Sequence, residues 1–150
     1  MPHEYPEPLS IEVHHPSLSI DRSDVEQAIH HVLEAEGASL THLSIVLSDH
    51  DTVRRLNREY LDHDYNTDVL SFSLQDLDAG DSNTVEGEIY IDLDTAAERH
   101  EEFDTTFEEE TLRYVIHGLL HLVGYNDATE DGQSTMRSKE NTYLEAIGAA

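Results

Sequence analysis

The stretch HGLLHLVGYND, from His117 to Asp127, places two histidines four residues apart in an apolar segment that ends at a glycine. On a helix, residues four apart are turned by only about 40°, so the two imidazoles share a face. Leu112, Val115, Ile116, Leu119 and Val123 gather on nearly the opposite side. Apart from the histidines the segment is apolar from Tyr114 to Val123, which predicts a buried helix with two polar groups aimed at a cleft. Buried imidazoles need partners.

Carbonyls or carboxylates of a core would satisfy such a pair as well as a metal, and the spacing alone does not choose between them. Gly124 points to a metal, because it stops the helix one turn after His121 and lets the chain swing back toward both rings. Asp127 is the first ionisable side chain beyond that turn, with His100 and Asp131 as alternatives. Two imidazoles and a carboxylate leave one tetrahedral position open, the arrangement of a catalytic zinc, so one Zn2+ per chain is expected. Gly118 follows the first histidine where a metalloprotease of the HExxH type has its glutamate, which argues against a peptidase and leaves room for close helix packing.

The rest of the chain bounds this reading. A length of 150 residues is ordinary for one domain, and 1–150 is read as a single unit. With no cysteine, a disulfide framework, a Cys-rich zinc finger and a thiol nucleophile are all excluded, so any metal must be held by His, Asp or Glu. The N-terminus has no basic or apolar leader region and no apolar run approaches a membrane span, so a cytoplasmic location without membrane contact is expected. Asp and Glu number 33 against 8 Lys and Arg, a formal net charge of −25, with Lys139 the only lysine. The acids are interleaved with periodic apolar residues, as in a folded domain with a solvated acidic surface. In molar salt the screening length falls to about 3 Å. The charge therefore reads as a mark of a salt-loving (halophilic) habitat, not of a partner.

Periodicity predicts a first strand and bend over 9–20, a helix from a Ser23 cap to Gly37, and a strand over 40–48. A second helix begins at Asp49 or Asp51 with Val53, Leu56 and Tyr60 inward. A turn at Asn66 leads into the strand of TDVLSFSL, an acidic loop follows, and another strand is entered at Gly87. A short helix starts at an Asp94 cap, the histidine helix at Thr105 or Thr106, and a last helix covers Ser134 to Ala146. Four strands interspersed with helices give an α+β domain with a mixed sheet.

Taken with MRSKE (136–140), LNREYL, TDVLSFSL and GEIYI in order, the stretch HGLLHLVGYND closely resembles the signature of the YbeY endoribonucleases, also called rRNA maturation factors. The resemblance covers Leu40 to Glu145. It implies a compact α+β domain with a four-stranded sheet and a zincin-like metal helix. It also implies a metal-dependent, single-strand-specific endoribonuclease in the cytoplasm, acting in maturation of ribosomal RNA (the 16S 3′ end) and ribosome quality control. Ribosomal RNA precursors are the implied partner, with ribosomal proteins or the small subunit beside them, and no DNA. Competing readings are a ribosome-assembly factor whose metal is chiefly structural, and a metal hydrolase of a non-RNA substrate.

Two positions depart from the family pattern. Its usual third ligand is a histidine in an H-G-x-L-H-L-x-G-Y-D-H string, where this chain has Asp127, a sound zinc ligand. The arginine common directly after the tyrosine matched by Tyr60 is Leu61 here. Arg54, Arg55 and Arg58, one to two turns earlier, are the candidate substrate contacts, either meeting phosphate or pairing with surface acids. Glu88 and Asp68 are the candidate catalytic, proton-handling groups, with a structural role as the alternative, while Ser71 and Phe72 line the cleft or pack.

Overall fold

In the computed structural model, residues 8–61, 68–74, 84–125 and 127–149 are described. The strands are β1 (Leu9–Val13), β2 (Ser39–Ser48), β3 (Val69–Ser73) and β4 (Thr84–Asp92). The helices are α1 (Arg22–Glu36), α2 (His50–Leu61), α3 (Leu93–Arg99), α4 (Phe107–Val123) and α5 (Glu130–Ala146). One four-stranded sheet runs in the order β1-β2-β4-β3. β1 and β4 lie parallel to β2, and β3 is antiparallel to β4, so the sheet is mixed as the element pattern predicts.

Alternation decides which side of the sheet is dry. Ile11, Ile45, Ile89 and Val69 share a face through the register Ile11↔Ile45↔Ile89 and Val69↔Ile91. Against that face pack α1, through Val25, Ala28, Ile29, Val32 and Leu33, and α4, through Leu112, Val115, Ile116, Leu119 and Leu120. Each fully buried Ile or Leu contributes about 1.5–3 kcal/mol. The other face carries Phe72, Glu88 and Tyr90, and α2 meets it where the rings of Tyr60 and Phe72 stand 6.1 Å apart.

Caps settle the boundaries, and several differ from the sequence expectation. The carboxylate of Asp21, not Ser23, caps α1, accepting from Ser23 N at 3.0 Å and Ser23 Oγ at 2.9 Å. Asp49 caps α2 by accepting from Thr52 N at 2.8 Å. Asp92 caps α3, because its oxygens take both Thr95 N and Thr95 Oγ1, while Asp94 instead receives His50 N and the His15 ring. Thr106 caps α4 and Thr129 caps α5, which therefore starts four residues before Ser134. β4 begins at Thr84, ahead of Gly87, since its pairing with β2 extends back to Ser39. Tyr60 is 67% exposed, not inward, and the polar Asn57 takes the buried place on α2 instead. Asn66 and residues 75–83 of the acidic loop expected over 75–87 lie outside the described residues, while Thr84 to Gly87 of that loop form the start of β4.

Gly118 sets how closely α4 approaches the sheet. A Cβ there would lie 2.8 Å from Ile89 Cγ2, 3.0 Å from Ser71 Oγ and 3.1 Å from Val69 Cγ2. Ser71 Oγ donates to the Gly118 carbonyl at 2.9 Å, pinning the helix to the edge strand. Gly118→Ala is expected to lower unfolding free energy by about 1–3 kcal/mol through overpacking, measured by denaturant titration at fixed salt.

Candidate metal centre

The turn after α4 brings the chain back. Gly124 (φ 126°) closes the helix, with its N–H and that of Tyr125 both donating to the Leu120 carbonyl. Tyr125 is then held by its hydroxyl, which donates to Glu36 Oε1 at 2.7 Å. Glu36, at the end of α1, also accepts from the Tyr143 hydroxyl and from Lys139 Nζ at 3.0 Å. Burial alone would raise the Glu36 carboxyl, but these three donors hold it below the usual carboxylate range. The ammonium of the only lysine lies 5.1 Å from the Tyr125 ring centroid and 5.9 Å from that of Tyr143.

Asp127 arrives beside the two imidazoles by this route. His117 Nε2 and His121 Nε2 are 3.1 Å apart, and the Asp127 carboxylate stands 3.4 Å from the first and 3.7 Å from the second. His117 Nδ1 lies 2.8 Å from Glu140 Oε2, and His121 Nδ1 lies 3.1 Å from the Tyr125 carbonyl. Neither an ionised carboxylate nor a carbonyl can donate, so both Nδ1 atoms must carry the proton. In their neutral form the rings turn two Nε2 lone pairs toward each other and toward a carboxylate. A divalent cation satisfies all three at once, where a proton on His117 Nε2 reaches only one acceptor.

The donor set fits a divalent metal. Tetrahedral bonds of about 2.0–2.1 Å separate neighbouring ligand atoms by roughly 3.3 Å, within the observed spread. Among the described residues, these three form the group whose ligand atoms converge this way. His100 lies apart, donating from Nδ1 to the Thr105 carbonyl at 3.0 Å, and Asp131 is an exposed residue of the first turn of α5.

Electrostatics separates the two rings. Burial and the neighbouring His117 together keep His121 below the ordinary histidine range. Burial pulls His117 down as well, yet the carboxylates of Glu140 and Asp127 leave it above that range. A proton and a metal thus compete for His117 Nε2.

Glu140 was not among the site residues expected from sequence. It sits on the buried stripe of α5 with Met136, Tyr143 and Leu144, an acid where the helix pattern calls for an apolar residue. That misfit was the available signal. Its second oxygen, Oε1, takes Arg113 Nη1 at 3.2 Å, so the carboxylate is oriented from both sides.

The group lines a cleft of about 1230 Å³ between α4, α5, the β3 edge and the α3–α4 connection. Asp68 lies in that cleft, where burial raises its carboxyl above the usual range despite Arg99 at 3.8 Å. Glu88 does not line it, because strand alternation turns its side chain to the other sheet face, within 3.4 Å of the Tyr90 hydroxyl. Phe72 shares that face, while Ser71 lines the cleft. Arg54, Arg55 and Arg58 are exposed on α2 and do not line it either. The cleft arginines are instead Arg99, Arg113 and Arg137. They were overlooked because they are scattered in sequence.

Comparison with known proteins agrees with this architecture. The family model described as endoribonuclease YbeY matches residues 10–148. Endoribonuclease YbeY of Salinibacter ruber is 64% identical over 151 residues, covering 98% of this chain and 96% of that protein. The protein of the same name from Chloroherpeton thalassium is 38% identical over 123 residues, with 82% and 84% covered. The solution structure of TM1509 from Thermotoga maritima superposes with a TM-score of 0.62 at 29% identity, covering 93% of this chain and 88% of that one. The chain belongs to the YbeY endoribonuclease family.

Glu140→Gln removes the charge behind His117 while keeping an acceptor for Nδ1. Metal affinity is expected to fall about 10- to 100-fold, read by competition with a chromogenic chelator. Arg113→Met, which breaks the same ion pair but leaves the carboxylate on His117, is expected to cost less affinity.

Proposed function

We propose that this chain is a zinc-dependent endoribonuclease that cleaves single-stranded segments of ribosomal RNA precursors in the cytoplasm, with the 16S 3′ end as its processing site. His117, His121 and Asp127 are the proposed ligands. The observation that carries the reading is the convergence of two Nε2 lone pairs and a carboxylate, each ring anchored from behind through Nδ1. Family membership supplies the reaction class.

When bound, the cation would supply Lewis acidity and a more acidic water. The chain's own residues do the rest. Glu140 and the Tyr125 carbonyl fix the ring tautomers, so no reorganisation is required as substrate enters. Asp68, whose carboxyl burial raises above the ordinary aspartate range, is the proposed proton-handling group that takes a proton from the attacking hydroxyl. Arg113 neutralises Glu140 within the cleft wall.

Two features favour this reading over a structural metal or a small-molecule substrate. His117, His121 and Asp127 are only partly buried on a cleft wall, apart from a core of fully buried Ile116, Leu119 and Ile89 that closes without them. The cleft is also larger than the roughly 300–1,000 Å³ of ordinary small-ligand pockets, as a polymer requires. Ribosomal proteins of the small subunit are proposed partners in presenting the RNA. Strong salt, proposed as the working medium, screens the repulsion between a −25 chain and a polyanion.

Asp127→Ala is expected to drop zinc from about one per chain toward none. RNA cleavage should fall about 100-fold or more, equivalent to ~2.7 kcal/mol of barrier, while the far-ultraviolet helical signal persists. Loss of the helical signal would favour the structural-metal reading.

Asp68→Asn tests the base. A base with a raised pKa works only above that pKa, so wild-type cleavage is expected to decline as pH falls through a value higher than the ordinary ~3.9 of aspartate. In the variant most of the rate should be lost with metal content unchanged, and the acid limb that remains should be the one that excess zinc shifts, set by protonation of His117.

A further inference from the structure

Phe103 is 51% exposed, beside the cleft of a chain with only three phenylalanines. The connection that presents it is not loose. Thr105 N and Thr105 Oγ1 both donate to the His100 carbonyl, at 2.8 and 3.0 Å, and His100 Nδ1 donates back to the Thr105 carbonyl. Glu102 N reaches Arg99 O at 3.1 Å and Asp104 N reaches Glu101 O at 3.2 Å. Asp104 takes the left-handed conformation at φ 57°, which aspartate adopts more readily than most residues other than glycine. The turn thus holds a large apolar ring outward instead of folding it into the core.

Arg99 completes the platform. Its guanidinium lies 5.1 Å from the Phe103 ring centroid and is steadied by Glu102 at 3.5 Å and Asp68 at 3.8 Å. With the guanidinium over one face of the ring, the opposite face of the half-exposed Phe103 is left for an unpaired base. Arg137, exposed on α5, lines the same cleft. Three of the chain's eight basic residues therefore collect at one cleft of a strongly acidic protein. Basic side chains interleaved with an exposed aromatic are the pattern of a single-strand track.

We propose that Phe103 and Arg99 form a base-stacking subsite of this cleft, and that Arg137 takes a backbone phosphate of the same single-stranded RNA. The inference rests on the endoribonuclease reading and adds where the strand is gripped. It places that grip at the α3–α4 connection and α5, not at the arginines of α2. Stacking is indifferent to base identity, so the subsite selects unpaired RNA over duplex, not one sequence over another.

The test is binding of a labelled 2′-O-methyl RNA oligomer, which cannot use its own 2′-oxygen for cleavage, to the zinc-loaded full chain, followed by anisotropy across a salt series. Phe103→Ala and Phe103→Leu are expected to weaken binding about 10-fold. Phe103→Tyr should bind as wild type, and an abasic backbone of equal length should bind all four proteins alike. Arg137→Ala should flatten the dependence of log affinity on log salt by about 0.7, one phosphate contact on a single strand. Zinc content and melting temperature report whether each variant is intact. Wild-type affinity in Phe103→Ala, with wild type itself binding, overturns the subsite and leaves the endoribonuclease reading standing. A zinc-loaded wild type that binds no RNA overturns both.

Discussion

The seat of α4 on the sheet is the contact on which the rest of the site depends. Gly118 lets the helix backbone come within side-chain-free distance of β3 and β4, and the Ser71 hydroxyl bonds to its carbonyl. Because Gly118 adjoins His117, the same contact fixes the depth and rotation of the histidine face. Leu119 and Ile116 anchor the buried side of the helix. The face that carries His117 and His121 remains outward, and the cleft opens above it.

A second set of contacts locates the carboxylate. Asp127 lies three residues past a glycine at φ 126°, where the backbone alone would leave its direction open. Tyr125 removes that freedom from both ends, its hydroxyl bonded to Glu36 and its carbonyl to the His121 ring. Glu36 in turn gathers Tyr143 and Lys139 from α5. The C-terminus of α1, the turn after α4 and the middle of α5 are therefore tied at one buried carboxylate. The only lysine of the chain sits there, doing work that a surface lysine would not.

Charge is arranged on two scales. The acidic excess as a whole is distributed along the sequence from Glu4 to Glu145. Inside the cleft, acids and arginines are paired, Arg113 with Glu140 and Arg99 with Asp68 and Glu102. Pairing of this kind orients Glu140 behind His117 and Arg99 beside Phe103. It also limits the positive field that the cleft presents to solvent.

The sequence by itself determined the α+β class, the element order and the two imidazoles on one helical face, because a local period of two or 3.6 residues carries that information. It also marked Asp127 as the carboxylate to return, since Gly124 is a local stop signal. Helix starts were less legible: at Asp21 and Asp92 the cap depends on which carboxylate reaches a free N–H, a matter of a single residue. Glu88 read as a candidate proton-handling group until strand register turned it to the far face, and Arg54, Arg55 and Arg58 drew attention by clustering within five residues of sequence. Glu140, Arg99, Arg113, Arg137 and Phe103 became part of the site only in the tertiary structure. They come from separate helices and a turn, brought to one cleft by packing that no local pattern encodes.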